Sequence, residues 1–366
     1  MVRVKEALVV TPSEPTPNTV LPLSALDSQL FLRFTIEYLL VYRPGPGLDR
    51  SSTPARLKSA LAKALVPYYP FAGRVRARSD GPGLEVVCRA QGVVFVEAFS
   101  ERYTVHDFQK APKTVTQWRK LLSLYVTDVL KGSPILVLQL TWLADGGAAV
   151  GIGINHCLCD GIGSAEFLNY FSDLASGKCV GGDPKPKPVW ERELLKAERR
   201  RKEGNSETMR HHLEFTRVPD LCGFMNRVTS CLKPTCIVFD ERRIHALKTA
   251  TGVGEASYTS FEVVAAHVWR SWARALGFPK NQTLKLLFSV NVRKRVRPGL
   301  PEGYYGNAFV LGCAQSSAWE LGERGVGFGY CLFLPVTGER GSVKVMVAVP
   351  TAAVDNFHRF MRESHL

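Results

Sequence analysis

Apolar residues fall at helical spacing in some stretches of this chain and in near-continuous runs in others. Leu57, Ala60, Leu61, Ala64 and Leu65 share one helical face. Thr53-Pro54 opens that helix, with Thr as the cap and Pro in the first turn, and Pro67 stops it. Residues 134–143, PILVLQLTWL, read as a strand. Asp145-Gly-Gly147 is a hairpin-type turn, and residues 148–155, AAVGIGIN, are the returning strand. Ser164 then caps a helix with Phe167, Tyr170, Phe171 and Leu174 on one face and Gly177 past its end. Further on, Thr259-x-x-Glu262 is a capping box that opens FEVVAAHVWRSWARAL, closed by Gly277 and Pro279. Residues 283–292 form a strand, YCLFLPV and VKVMVAVP pair as a hairpin, and Thr351 caps a last helix carrying Val354, Phe357 and Met361.

Helices mixed with largely antiparallel strands give an α/β (α+β) protein. At 366 residues the chain is too long for one small core, so two domains are expected. The seam is 178–212, where Gly, Pro and charge dominate and large apolar residues are rare. It sets an N-terminal domain at 1–178, a crossover linker at 179–212 and a C-terminal domain at 213–366.

Composition narrows the class. The chain is 45% hydrophobic and 22% charged, as globular proteins are. No apolar run reaches the roughly 18 residues that a membrane span needs. The N-terminus turns polar and proline-rich before a signal-peptide core could form, so a cytoplasmic location is expected. The nine cysteines are scattered and outside any zinc arrangement, which points to reduced thiols. The formal charge of +14 does not by itself imply nucleic acid. The basic residues are dispersed, and the one dense run, Glu198-Arg-Arg-Arg-Lys-Glu203, is flanked by acids as a solvated helix or linker would be. A diffuse positive field also suits an anionic small molecule such as a phosphorylated cofactor.

The chemistry concentrates in residues 153–164, GINHCLCDGIGS. A zinc site would need a second convergent pair of ligands, and none is present; His211-His212 is a lone polar doublet, so no metal is expected. No Gly-x-Ser-x-Gly elbow supplies a nucleophile, and Cys157 and Cys159 are better placed as buried structural thiols than as partners of the adjacent histidine. Gly325-x-Gly327-x-Gly329 lacks the context of a phosphate loop. What remains is His156 as a general base, at the end of an apolar strand on a glycine-rich turn. It matches deprotonation of an alcohol that attacks an activated acyl carbon directly, without an acyl-enzyme. Asp160 could orient His156, or point away and fix the turn through an arginine elsewhere; Gly161 and Gly163 let the chain reverse. With eight histidines and twelve aspartates, about a quarter of a His-x-x-x-Asp match arises by chance, so the spacing alone is weak. His267, on a helix face amid Val and Trp, is assigned to the core.

Six separated segments add context, in this order: LSALD (23–27), ALVPYYPFAGR (64–74), the run 139–168, PVWER (188–192), FEVVAAHVWR (261–270) and SVNVRKRVRPGLPEGYYGNAF (289–309). Together they resemble the plant BAHD acyl-CoA-dependent acyltransferases, from about residue 4 to the C-terminus. The resemblance implies two similar-sized domains related to chloramphenicol acetyltransferase, with a channel between them for acyl-CoA and an acceptor. It implies His156 as general base, with Asp160 mainly structural and paired with Arg293 so as to clamp the turn against the second domain. Thr259, Ser260 and Asn307 become pocket or CoA-side positions. Acyl-CoA is then the co-substrate and an alcohol the acceptor, with no resident cofactor, no nucleic acid, no membrane span and a monomeric state. The N-terminal forty residues resemble alcohol acyltransferases of the aliphatic-ester and hydroxycinnamoyl type, with an acetyl, benzoyl or hydroxycinnamoyl donor.

One departure stands out. The family's Asp-Phe-Gly-Trp-Gly signature is absent; Gly327-Phe-Gly-Tyr330 has neither its Asp nor its Trp. The C-terminal domain is thus expected to be shortened between 315 and 327. The alternative to an active enzyme is a catalytically impaired homologue that only binds acyl-CoA or a partner.

Overall fold

A computed structural model describes residues 2–109, 117–121, 129–178, 182–196, 212–220, 232–252, 257–279, 281–317, 331–336 and 338–363. The basic run 198–203, His211, the junction from 318 and the glycines at 325–329 lie outside the described residues.

The strands are β1 (Val2–Val10), β2 (Thr19–Pro22), β3 (Thr35–Tyr42), β4 (Arg74–Ala77), β5 (Leu84–Cys88), β6 (Val93–Ser100), β7 (Leu136–Trp142), β8 (Ala148–Asn155), β9 (Leu232–Phe239), β10 (Thr283–Asn291), β11 (Phe309–Ser317), β12 (Cys331–Val336) and β13 (Glu339–Pro350). The helices are α1 (Thr53–Ala64), α2 (Gly161–Ala175), α3 (Glu241–Thr249), α4 (Ser260–Leu276) and α5 (Val354–Arg362).

The chain divides into two compact units. The first holds residues 1–110, 118–205 and 290–310; the second holds 111–117, 206–289 and 311–366. The first unit thus includes residues 290–310, which a division into consecutive halves places in the C-terminal domain. The reason is chemical: this stretch carries Arg293 and Asn307, whose partners Asp160 and Asp27 are buried carboxylates of the first unit.

In the first unit, five strands run in the order β1-β6-β7-β8-β3, with β6 and β7 parallel and the other neighbours antiparallel. A second sheet runs β2-β5-β4. Strands β7 and β8 are buried at every position, which is why both are mostly apolar rather than alternating. Their core neighbours include Phe167 and Phe171 of α2, with Tyr68, Phe71 and Tyr305.

In the second unit, β12, β13 and β9 form an antiparallel sheet whose core includes Phe239, Val264, Trp272 and Phe357. The capping box at Thr259 is formed, and Gly277 ends α4 in the left-handed conformation at φ 65°. His267 is buried there; its Nε2 lies 3.1 Å from the Met361 carbonyl oxygen, and burial pushes its pKa down. No described helix is long and apolar enough to cross a membrane.

Three helix starts differ from the sequence expectation. Ser52, not Thr53, is the cap position of α1, and the Asp49 carboxylate accepts the Ser52 N–H at 2.9 Å. Helix α2 begins at Gly161, so Ser164 lies inside it and Asp160 is the cap. A short 3-10 turn, Thr351–Ala353, also precedes α5 where Thr351 was expected to cap it.

Candidate active site

Strand β8 ends at Asn155, between β3 and β7. His156 is the first residue beyond it, and its backbone N–H donates to the Phe34 carbonyl at 2.9 Å. The Asn155 side chain then accepts the Cys157 N–H at 3.1 Å, and the Leu158 N–H returns to the Asn155 carbonyl at 3.1 Å. Cys157, Leu158 and Cys159 point into the core. Burial pushes the Cys157 thiol up to about 12 and the Cys159 thiol up as well, so neither supplies a thiolate near neutral pH.

Asp160 faces away from His156. Its Oδ1 accepts the N–H groups of Ile162 and Gly163, both at 3.1 Å, as the cap of α2. Arg293 grips it with two parallel bonds, Nη1 to Oδ2 at 2.8 Å and Nη2 to Oδ1 at 2.9 Å. The Ala308 N–H donates to Oδ2 at 3.1 Å. Five donors therefore occupy a carboxylate that is only 6% exposed. Of the two roles open to Asp160 in the sequence, the geometry has it fixing the turn, and the Arg293 pairing is internal to the first unit.

Gly163, rather than Gly161, is the glycine that the turn requires. A Cβ on Gly163 would fall onto the Tyr305 carbonyl oxygen and lie 2.7 Å from its carbon. Nothing lies within 4 Å of a Cβ on Gly161, and neither residue has a positive φ. Gly163→Ala should therefore cost about 3 kcal/mol, the upper end for overpacking against atoms that cannot swing aside. Gly161→Ala should change stability by less than about 0.5 kcal/mol. Urea unfolding midpoints of the two variants give the comparison; equal midpoints would remove the packing argument.

His156 itself is half-buried. Its ring meets Phe34 edge-on at 5.1 Å between centroids and Phe309 at 5.9 Å. Nδ1 is buried and has no hydrogen-bond partner among the described residues. Burial lowers the imidazole pKa below its ordinary value, against weaker upward pulls from its own backbone, Asp160, Asn307 and Asp27. The ring is thus neutral near pH 7, with one nitrogen able to accept a proton.

Asn307 is fully buried and holds this turn from behind. Its Nδ2 donates to the His156 carbonyl at 2.7 Å and to Asp27 Oδ1 at 2.8 Å, and its backbone N–H donates to the same Oδ1 at 2.9 Å. Asp27 also takes the Ser24 hydroxyl at 2.6 Å and pairs with Arg192 Nε at 3.2 Å. Arg192 Nη2 donates to the Leu158 carbonyl at 2.7 Å, and its guanidinium stacks on Trp190 at 4.3 Å. Beside the bonds by which Arg293 holds Asp160, and without Gly161, whose carbonyl accepts the Ser164 hydroxyl at 3.1 Å, His156 and Asn307 stand in one buried network. Asp27 and Arg192 belong to it too, and sequence reasoning missed both. The available signal was a charge beside large apolar residues, Asp27 in LSALD and Arg192 in PVWER, since a buried charge needs a partner. Thr259 and Ser260 stand in the second unit, where Thr259 spends its hydroxyl on the capping box. No cluster of metal-ligating side chains occurs among the described residues.

Comparison with known proteins adds the family. A model described as the Transferase family matches residues 1–331. Taxadien-5-alpha-ol O-acetyltransferase of Taxus chinensis is 34% identical over 326 residues, spanning 87% of this chain and 70% of that protein. Among solved structures, vinorine synthase superposes with a TM-score of 0.71 at 19% identity, covering 97% of this chain and 96% of that one. TRI101 of F. sporotrichioides, complexed with coenzyme A and T-2, gives 0.65 at 14% identity and covers 93% and 97% of the two chains.

Proposed function

The chain belongs to the Transferase family, the BAHD acyltransferases, and from that premise we propose that it moves an acyl group from coenzyme A to an alcohol, with His156 as the general base. The observation that carries this reading is a half-buried imidazole, neutral near pH 7, whose Nδ1 has no partner among the described residues and whose neighbouring carboxylate is fully committed elsewhere. In the proposed step the alcohol proton passes to the His156 imidazole while its oxygen attacks the thioester carbonyl. The tetrahedral adduct collapses, the carbon–sulfur bond breaks, and the proton leaves with the CoA thiolate. The buried, protonated Cys157 and Cys159 favour direct attack over an acyl-enzyme. Acetyl, benzoyl and hydroxycinnamoyl groups are the donors to try first, and the relative named for an O-acetyltransferase supports the first of them. Phe34 and Phe309 beside the ring favour an acceptor with an apolar face. The same reading has the chain acting as a cytoplasmic monomer with no resident cofactor, its net charge of +14 drawing in anionic CoA.

The test is release of free thiol from these acyl-CoAs in the presence of alcohols, against blanks lacking acceptor. Ester-forming turnover supports the reading, and its absence with every donor and acceptor sinks it. The pH profile is a sharper check. A base works only when deprotonated, so kcat/KM should hold above the folded-state pKa of His156 and fall as pH drops through it. Burial lowers that pKa, so the acid limb should lie below the ordinary histidine value of about 6.5. An acid limb above that value would contradict the assignment.

A second reading has one observation in its favour: Gly327-Phe-Gly-Tyr330 lacks the Asp and Trp of the family signature. Saturable CoA binding without thiol release would select the non-catalytic homologue.

A further inference from the structure

Within the first unit, a cleft of about 500 Å³ opens beside the Leu23–Ser28 turn and does not include His156 among its walls. Arg33, Arg78, Arg192 and Lys196 line it with one carboxylate, Glu193, and Pro22 and Leu23 are among its apolar walls. The arginines differ in their partners. Arg78 is held by Asp80 at 2.9 and 2.7 Å, and Arg192 is paired with Asp27 at 3.2 Å. Arg33 makes no side-chain hydrogen bond and no ion pair among the described residues, and its Nε is buried from solvent without a partner. Leaving such a donor unbonded is costly, and native structures rarely do so without a reason. The hydroxyls and carboxylates of the turn do not answer it: Ser24 serves Asp27, Ser28 serves the Ser24 carbonyl, and Asp27 serves Asn307 and Arg192. A guanidinium is a planar fork that fits a carboxylate or phosphate with two bonds. The volume is in the range of small-molecule sites.

We propose that this cleft is a second binding site, in which Arg33 takes the carboxylate or phosphate group of a small molecule whose apolar part lies against Pro22 and Leu23. Arg192, neutralised by Asp27, forms part of the wall. Its Nη2 also holds the Leu158 carbonyl, and Asp27 is bonded to Asn307, so the cleft wall and the 156–160 turn share one buried network. The site does not depend on the acyl-transfer reading, because it is tested by binding alone.

The full chain is titrated with benzoate and with inorganic phosphate at constant ionic strength, against chloride, by calorimetry. Saturable binding of either probe is expected, weakened about tenfold or more in Arg33→Gln and less in Arg33→Lys, which keeps the charge but loses the fork. Arg3→Gln, at an exposed position of β1, should bind as the parent does, which separates a site from net charge. Thermal transitions in chloride check that the variants are folded. If CoA displaces the bound probe, the natural head group is a phosphate of CoA; if it does not, a separate anionic metabolite occupies the cleft. Binding no better than chloride, equal binding in Arg33→Gln, or equal weakening in Arg3→Gln would overturn the proposal.

Discussion

His156→Ala should lower kcat/KM for ester formation about 10²–10⁴-fold, the range that a positioned general base contributes. The same change should leave the fold nearly as stable as before. The ring Nδ1 has no hydrogen bond to lose, and the change removes two ring contacts, with Phe34 and Phe309, that together are worth about 1 kcal/mol. The backbone of residue 156 keeps its place, since its N–H still donates to Phe34 and its carbonyl still accepts from Asn307. CoA binding by calorimetry should be unchanged. This combination sets the base apart from the other buried histidine: His267→Ala removes a core side chain bonded to Met361, so it should lower the unfolding midpoint before it touches turnover per folded molecule. If His156→Ala retains activity within about tenfold of the parent, or loses it only through CoA affinity, the base lies elsewhere.

What the sequence made legible follows from how local each signal is. Helix α4 carries its own start and stop, a capping box and a left-handed glycine, and both stand as expected. The β7–β8 hairpin is equally local, with Asp145-Gly-Gly147 between two apolar runs. The start of α2 was misplaced by four residues because Asp160 and Ser164 are both capping types. What decides between them is Arg293, 133 residues away, which together with the cap bonds fixes Asp160 at the helix entrance. The strands before residue 100 have no counterpart in the sequence reading. Strand β1 is largely exposed and lies at the sheet edge, and β2 pairs with β5 some 65 residues on, so pattern and partner are both weak guides there.

The site divides in the same way. His156 and Asp160 share one short motif, and their place at the end of an apolar strand was readable. Which way Asp160 turned was not, because the answer lies in donors from Arg293 and Ala308. Asp27 and Arg192 were further out of reach. They neutralise one another at 3.2 Å, and Asp27 meets Asn307 across 280 positions. Only the fold brings these partners together.

That dependence predicts the second large effect, and it is the converse of the first. Asp160→Ala should destabilise the first unit by about 3–5 kcal/mol, the usual cost of leaving one member of a buried ion pair without its partner. The variant strands the Arg293 guanidinium, 15% exposed at its side chain, and the N–H groups of Ile162, Gly163 and Ala308. Asp160→Asn should recover little, because its amide places a donor where three N–H groups and a guanidinium require an acceptor. Arg293→Lys keeps the charge but loses the paired bonds to Asp160 and those to the Tyr304 and Gly306 carbonyls, so it should cost less than either. The double variant Asp160→Ala with Arg293→Ala should lose less than the sum of the single changes, since neither charge is then stranded. Urea unfolding followed by tryptophan emission gives these differences, and turnover per folded molecule gives the contrast with His156→Ala. A direct partner of the base would show the opposite pattern, a large kinetic loss with the fold intact, and that result for Asp160→Asn would return the aspartate to the reaction itself.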